Sequence, residues 1–155
     1  MSILFPEKPK PVVDANEFLF SAVGLAHGHI YGMTHALLNA GATLCEVWDD
    51  SPQKVAAFLK VFPQAKAAPS LEAALGNPAV HLIASAAVPS ERCALGIRVM
   101  RAGKDYFVDK APMTSLDQLA QARHAVAETG RKYMVYYSER LHSEAATAAD
   151  YLISE

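Results

Sequence analysis

The sequence predicts an α/β fold in which a parallel, doubly wound sheet of about six strands has helices on both faces. Apolar segments with strand character alternate with helical segments from residue 18 onward. The fourth strand segment, residues 80–86, is apolar on both faces, as a central parallel strand should be. Right-handed crossovers between parallel strands then place the loop after each strand at one edge of the sheet. Together these observations predict a Rossmann-type domain.

The individual elements follow from periodicity and from helix-boundary residues. Ser51 followed by Pro52 is typical of a helix start, because serine caps free N–H groups and proline fits the first turn. The predicted strands cover residues 18–23, 42–48, 66–68, 80–86, 106–108 and 132–137. The predicted helices cover residues 29–39, 52–62, 70–75, 90–101, 115–129 and 142–153. One helical face is predicted to be buried, and it consists of Leu116, Leu119, Ala122 and Val126.

Residues 1–17 are predicted to form an extended arm rich in proline and lysine. Pro6, Pro9 and Pro11 alternate with lysines, and this pattern favours extended backbone over helix. Residues 18–155 then form one domain, a size that fits a single hydrophobic core.

Composition excludes several classes of function. Of the 155 residues, 52% are hydrophobic and 19% are charged, and the net charge is −2 at pH 7. The chain has no basic stripe, which argues against nucleic acid as a partner. No apolar run approaches the ~18 residues of a membrane span, so no membrane partner is expected. Two distant cysteines and no signal-peptide pattern predict a reduced, cytoplasmic setting.

The loop after the first strand has the composition of a nucleotide-binding turn. Gly24 ends the strand, and Ala26 stands where a small residue lets the backbone approach a diphosphate. The next helix would direct its free N–H groups and positive end at that anion. The third small-residue position of the usual pattern holds the bulky His29, while Gly28 lies one residue early. Residues 24–28 therefore indicate a dinucleotide turn or, as the alternative, a bare structural turn.

Asp49 favours the dinucleotide interpretation. It ends the second strand, 25 residues after Gly24. A carboxylate at this place accepts hydrogen bonds from the ribose hydroxyls of adenosine and repels a 2′-phosphate, which favours NAD over NADP. The alternative is an acidic residue that merely flanks the next helix.

Asp109 and Lys110 follow at the end of the fifth strand, at the same predicted edge. A lysine beside a carboxylate can orient substrate, stabilise a developing alkoxide or relay a proton. The alternative is a surface lysine at a strand end, and the residues taken alone favour it.

Together these segments resemble the glucose–fructose oxidoreductase, inositol dehydrogenase and MocA (Gfo/Idh/MocA) family of NAD(P)-dependent oxidoreductases. The resemblance is carried by residues 22–26, 46–49, 102–110 and 136–140. It implies hydride transfer between a nicotinamide cofactor and a sugar or polyol-like substrate. It gives Lys110 the role of the substrate-side lysine, with Asp109 in place of the usual glutamate. It also implies that a loop lies along the nicotinamide half of the cofactor, formed by Ala84, Ser85, Ala86 and Ala87.

The sequence departs from the family pattern at three points. Ala111 separates Lys110 from Pro112, so the restraint that proline places on the preceding residue is lost. Arg92 stands where many members carry a histidine. The C-terminal substrate domain, which supplies a catalytic histidine in the family, is expected to be absent, since the chain ends at Glu155. We therefore expect cofactor binding with little or no turnover, and a small-molecule substrate only together with that domain.

Other interpretations stay open. The absent domain and the altered segment after Lys110 favour a non-catalytic module that senses a dinucleotide or mediates assembly. A methyltransferase that binds S-adenosylmethionine is a further alternative, although the first strand lacks the acidic residue that usually precedes such turns. A hydrolase site from Ser138, His142 and Glu144 lacks a G-x-S-x-G elbow.

His27 and His29 raise the question of a metal. They are two residues apart, whereas a metal site on one helix face would need a spacing of four. Helix-terminus side chains near the cofactor phosphates are therefore the favoured interpretation, and no metal is predicted. The apolar surface left by an absent domain predicts self-association into a homo-oligomer.

Overall fold

The computed structural model of the protein describes residues 10–137. Within that range, strands and helices alternate along the chain. The strands are β1 (Leu19–Val23), β2 (Thr43–Trp48), β3 (Lys66–Ala67), β4 (Leu82–Ser85), β5 (Asp105–Asp109) and β6 (Tyr133–Tyr136). The helices are α1 (His29–Asn39), α2 (Pro52–Val61), α3 (Leu71–Gly76), α4 (Pro89–Arg101) and α5 (Leu116–Thr129). The predicted helix at 142–153 and the hydrolase residues Ser138, His142 and Glu144 lie outside the described residues.

All six strands form one sheet in the order β3-β2-β1-β4-β5-β6. Every neighbouring pair runs parallel. The chain therefore moves outward from β1 in one direction and then outward from β4 in the other. Between β1 and β4 the connections leave toward opposite faces, which opens a crevice at the carboxyl ends of these strands. The predicted Rossmann-type fold is confirmed.

Two hydrophobic layers cover the sheet, one on each face. The first packs α1 and α2 on the strands, with Phe20, Ile30, Met33, Phe58 and Phe62 at most 2% exposed. The second packs α3, α4 and α5 on the other face, around Ile83, Val99, Met100, Tyr106 and Ala125, each at most 1% exposed. Because side chains alternate across a strand, a buried apolar strand such as β4 supplies both layers.

Serine caps start three of the helices, and one of them was predicted. The Ser51 hydroxyl accepts a hydrogen bond from the Lys54 N–H at 3.4 Å, and Pro52 follows in the first turn. The Ser70 and Ser115 hydroxyls accept from the third residue beyond them at 3.1 and 3.2 Å. Each cap satisfies one of the N–H groups that a helix start leaves unpaired.

The predicted buried face of α5 is wrong at Leu116 and Val126, which are 83% and 36% exposed. The fully buried positions are Ala122 and Ala125. The helix meets α4 two residues later, where the Cys93 thiol contacts the Gln118 carbonyl at 3.1 Å. Leu116 lies ahead of that contact, so periodicity alone assigned it to a face that has no neighbour there.

Lys104, the first of the two lysines in the segment 102–110, stabilises the fold. Its ammonium donates to the carbonyls of Asn77 and Val80 at 2.6 and 2.8 Å, and its side chain is 4% exposed. Burial lowers the pKa of Lys104 because it penalises the charged form. The hydrogen bonds tie the start of β5 to the loop that enters β4.

We expect Gly96→Ala to destabilise the domain by about 1–3 kcal/mol, because a Cβ there overpacks the core. It would lie 2.5 Å from the ring of Tyr106 and 2.7 Å from that of Tyr133. Urea unfolding measures the effect, and Gly76→Ala is the matched control, since nothing lies within 4 Å of a Cβ at Gly76. Equal stability of the two variants would contradict the packing argument.

No helix in residues 10–137 has both the length and the apolar character that a membrane span needs. Of the predicted arm, the described part, residues 10–17, runs in bends and turns. It lies against the end of α1, where the Val12 N–H donates to the Ala40 carbonyl at 2.9 Å.

Candidate functional site

Two adjacent concavities lie at the carboxyl ends of the strands. The main cleft, of about 580 Å³, lies between the loop after β1, the end of β2 and the start of α4. The second, of about 380 Å³, is called the histidine cavity here and is lined by His27, His29, Arg92, Asp109 and Lys110, among others. Ala26, Ala87 and Val88 line both concavities, so the two share a wall.

Gly24 allows the chain to turn tightly after β1. Its φ is +74°, in the left-handed region that favours glycine. Its N–H donates to the Trp48 carbonyl at 3.0 Å, and its carbonyl accepts from the Ala86 N–H at 3.0 Å. A Cβ at this position would lie 2.9 Å from the Cβ of Ala87. The turn therefore locks the ends of β1, β2 and β4 together.

Asp49 reaches the same turn from the end of β2. One carboxylate oxygen accepts from the Leu25 N–H at 2.6 Å, and the other accepts from the Ser51 N–H at 2.9 Å. The Lys54 ammonium lies 3.7 Å from the second oxygen. An ionised carboxylate has about four acceptor positions. The two backbone bonds therefore leave acceptor capacity toward the cleft, which Asp49 lines.

The remaining turn residues lead into α1. The His27 N–H donates to the Ala86 carbonyl at 3.0 Å, and Gly28 is the N-cap residue of α1 without a side-chain cap. Nothing lies within 4 Å of a Cβ at Gly28. In residues 10–137, no hydrogen bond to protein uses the N–H of Ala26 or Gly28. These two donors are thus available to a ligand at the positive end of α1.

The residues of the predicted nicotinamide loop differ in how deeply they are buried. Ser85 and Ala86 have no exposed surface, and the Ser85 hydroxyl accepts from the Ala87 N–H at 3.3 Å. Ala87 is 6% exposed and lines both concavities. The first two residues shape the loop from beneath, and Ala87 presents its surface to a ligand.

Asp109 is buried beneath the histidine cavity, and its side chain is 1% exposed. One oxygen lies 2.8 Å from Nδ1 of His29, and the other lies 3.0 Å from the Arg92 guanidinium. Nδ1 of His27 is 3.8 Å from that second oxygen. Lys110, the next residue, is half-buried and lines the cavity. The predicted pair is therefore split, with the carboxylate inside the protein and the lysine at the cavity wall.

Arg92 is the residue whose importance the sequence did not reveal. Its side chain is 2% exposed. The guanidinium donates to the carbonyls of Ala87 at 2.7 Å, Asp109 at 3.0 Å and Ala111 at 3.1 Å, and also to the Lys110 carbonyl. It thereby holds the backbone on both sides of Lys110. The sequence signal was that Arg92 stands where many members of the family carry a histidine. The sequence does not show which loops the Arg92 side chain contacts, and those contacts define its role.

His27, His29 and Asp109 each offer a possible metal-ligand atom, and these atoms lie within 4.8 Å of one another. Protein groups already engage them. Nδ1 of His27 accepts from the His29 N–H at 3.2 Å, and Asp109 is bound to both His29 and the cationic Arg92. A second cation would compete with Arg92 for the carboxylate. The contacts therefore favour a hydrogen-bonded pair, and the expected absence of a metal stays a prediction.

Known proteins share this architecture. The model of the GFO_IDH_MocA family, described as an oxidoreductase family with an NAD-binding Rossmann fold, matches residues 20–137. A proposed oxidoreductase from Erwinia carotovora atroseptica is 40% identical, with a TM-score of 0.84 over 89% of this chain and 41% of its own. No curated protein matches the chain.

Two more distant structures have the same fold. A proposed NADPH-dependent oxidoreductase from Desulfitobacterium hafniense is 22% identical, with a TM-score of 0.77 over 88% of this chain and 39% of its own. Biliverdin reductase from Synechocystis, solved with biliverdin and NADP⁺, is 17% identical, with a TM-score of 0.74 over 86% of this chain and 42% of its own. The chain thus spans 39% to 42% of the length of these three proteins.

Proposed function

Since this chain belongs to the Gfo/Idh/MocA oxidoreductase family and forms its NAD-binding Rossmann domain, we propose that it holds NAD, with the adenosine in the main cleft and the diphosphate on the glycine turn. The nicotinamide would then extend into the histidine cavity. When bound, the cofactor supplies or accepts a hydride. The observation that supports the proposal is the contact between Asp49 and the Leu25 N–H, which joins the proposed ribose-binding residue to the turn.

The chemistry of the cleft fits this ligand. The N–H groups of Ala26 and Gly28 and the positive end of α1 suit a diphosphate. The acceptor capacity of Asp49 suits two ribose hydroxyls, and its negative charge opposes a 2′-phosphate. The Lys54 ammonium near Asp49 offsets part of that charge, and it is 46% exposed, so solvent screens it. We therefore propose NAD as the preferred member of the NAD(P) pair.

Titration of the intact chain with NADH and NADPH, followed by nicotinamide fluorescence, tests this proposal. We expect NADH to bind more tightly than NADPH. Asp49→Asn should weaken NADH binding by about 1.5–3 kcal/mol, as expected for a lost hydrogen bond to a charged group, and should reduce the preference over NADPH. Asp117→Asn, at an exposed position outside both concavities, removes the same charge and is the matched control. Tighter binding of NADPH would contradict the preference, and no binding of either cofactor at millimolar concentration would contradict the function.

Hydride transfer to a sugar or polyol-like substrate is proposed for a longer relative rather than for these residues alone. The chain spans 41% of its 40%-identical relative, and no described residue forms a second domain that could close over the histidine cavity. We expect little or no dehydrogenase turnover from the 155-residue chain. A non-catalytic dinucleotide-sensing module is the alternative, and self-association stays a prediction for either case.

A further inference from the structure

His29 reaches across the crevice from the start of α1 to the end of β5. Its Nδ1 lies 2.8 Å from one oxygen of Asp109, and its ring packs edge-on toward Tyr136 at 6.3 Å between centroids. The His29 side chain is 32% exposed, whereas that of Asp109 is 1% exposed. The Nδ1 edge of the imidazole is thus anchored inside the protein, while part of the ring remains open to the cavity.

The contacts of Asp109 determine which nitrogen of His29 carries the proton. The Arg92 guanidinium lies 3.0 Å from the second carboxylate oxygen, which favours the ionised carboxylate. An ionised carboxylate only accepts hydrogen bonds, so Nδ1 of His29 must donate. In the neutral ring the acceptor lone pair is then on Nε2. This arrangement is the one by which a buried carboxylate fixes the tautomer of a proton-transferring histidine.

His27 has a different environment although it is only two residues away. Its Nδ1 accepts the His29 N–H at 3.2 Å, so this nitrogen cannot also donate to Asp109, which lies 3.8 Å away. The His27 side chain is 56% exposed. Of the two histidines, His29 alone has a carboxylate bound behind its ring.

The position of the pair in the crevice matters as much as its tautomer. His29 and Lys110 line the histidine cavity, and neither lines the main cleft that contains Asp49. A dinucleotide with its adenosine at Asp49 and its diphosphate at the turn would extend its nicotinamide end toward His29 and Lys110. Substrate that reacts at the nicotinamide would therefore meet these two side chains.

We propose, on the premise of the proposed function, that His29 is a catalytic acid–base residue at the nicotinamide end and that Asp109 is its positioning residue. In the oxidative direction, Nε2 of His29 would take the hydroxyl proton of an alcohol substrate, and a bound oxidised nicotinamide would supply the hydride acceptor for the carbinol carbon. The substrate would thereby lose its O–H and C–H bonds and become a carbonyl compound. In the reverse direction, the Nε2–H returns the proton to the carbonyl oxygen.

Acylation of histidines by diethyl pyrocarbonate, located by tandem mass spectrometry on the intact chain, tests where His29 lies relative to the ligand. NADH at about ten times its Kd should slow acylation of His29 about tenfold, because only about one site in eleven stays free. ADP-ribose, which lacks the nicotinamide, should leave the His29 rate within about twofold when present at a similar multiple of its own Kd. His35 and His124, both exposed and outside the cavity, are internal references.

Equal protection of His29 by NADH and ADP-ribose would place it on the diphosphate and overturn the proposal. No protection by NADH, when fluorescence shows that NADH is bound, would also overturn it while leaving the proposed function intact. Failure of NADH to bind would overturn both.

A second measurement tests the role of Asp109. Long-range ¹⁵N spectra of the histidine rings should show neutral His29 with its hydrogen on Nδ1, whereas neutral histidine in water mostly carries it on Nε2. Asp109→Asn should shift His29 toward the Nε2–H form, and His27→Gln should not. If Asp109→Asn fails to fold, the wild-type spectrum still tests the role of Asp109, because an Nε2–H tautomer of neutral His29 would overturn that assignment.

Discussion

Arg92→Met is expected to destabilise the domain by about 3–5 kcal/mol, the magnitude seen when one partner of a buried ion pair is removed. The substitution keeps an apolar stem of similar length but removes every guanidinium donor. It leaves the buried carboxylate of Asp109 without its arginine partner, although the contact with His29 remains, and it strips the Ala87 and Lys110 carbonyls of the guanidinium donor. Unpaired buried carbonyls and charges are costly because no water replaces the lost bonds.

Urea unfolding measures this prediction, with thermal unfolding as a second probe if the variant is too unstable. Arg98→Met is the matched control. Arg98 lies on the same helix and pairs with Glu72 at 2.9 Å, but the two side chains are 52% and 74% exposed. Such an exposed pair contributes about 1 kcal/mol or less. Arg92→Lys should fall between the two, since an ammonium cannot reach several carbonyls in the planar pattern of a guanidinium. Similar stabilities for Arg92→Met and Arg98→Met would refute the assigned role.

Gly24→Ala is expected to impair both stability and dinucleotide binding. Alanine in the left-handed region costs roughly 1–2 kcal/mol, and the contact with Ala87 adds an overpacking cost of about 1–3 kcal/mol. Because Ala87 lines both concavities, its displacement should also weaken NADH binding by at least about tenfold, which is about 1.4 kcal/mol. Urea unfolding measures the loss of stability, and NADH fluorescence titration measures the loss of affinity.

Substitutions at two other glycines distinguish the cost of the backbone conformation from the effect on NADH binding. Gly103 has a φ of +80° with nothing within 4 Å of a Cβ, so Gly103→Ala isolates the backbone cost and should not change NADH binding. Gly28 has a φ of −61° and the same open space. Gly28→Ala should keep stability within about 1 kcal/mol and weaken NADH binding, because it adds a methyl group next to the N–H group proposed to bind the diphosphate. Unchanged NADH binding in both Gly24→Ala and Gly28→Ala would place the dinucleotide elsewhere.

Most of the fold follows from local patterns. The strands and helices within residues 10–137 were predicted in the right order, because alternating apolar segments and helix-boundary residues are local signals. The carboxyl-edge position of Gly24, Asp49 and Lys110 followed from the handedness of parallel crossovers. Boundaries differ by one or two residues, since β4 begins at Leu82 and β5 extends from Asp105 to Asp109. The error at Leu116 arose because periodicity identifies an apolar face but not whether a neighbour covers it.

The sequence by itself predicted the dinucleotide turn, since a glycine at one strand end and an acidic residue at the next strand end form the pattern of a dinucleotide-binding fold. Only the tertiary structure decided what Asp109 does. Its partners His29 and Arg92 are 80 and 17 residues away in the sequence, and no local pattern encodes such contacts. The carboxylate that the sequence predicts beside Lys110 lies inside the protein, where the His29 imidazole and the Arg92 guanidinium each contact one of its two oxygens.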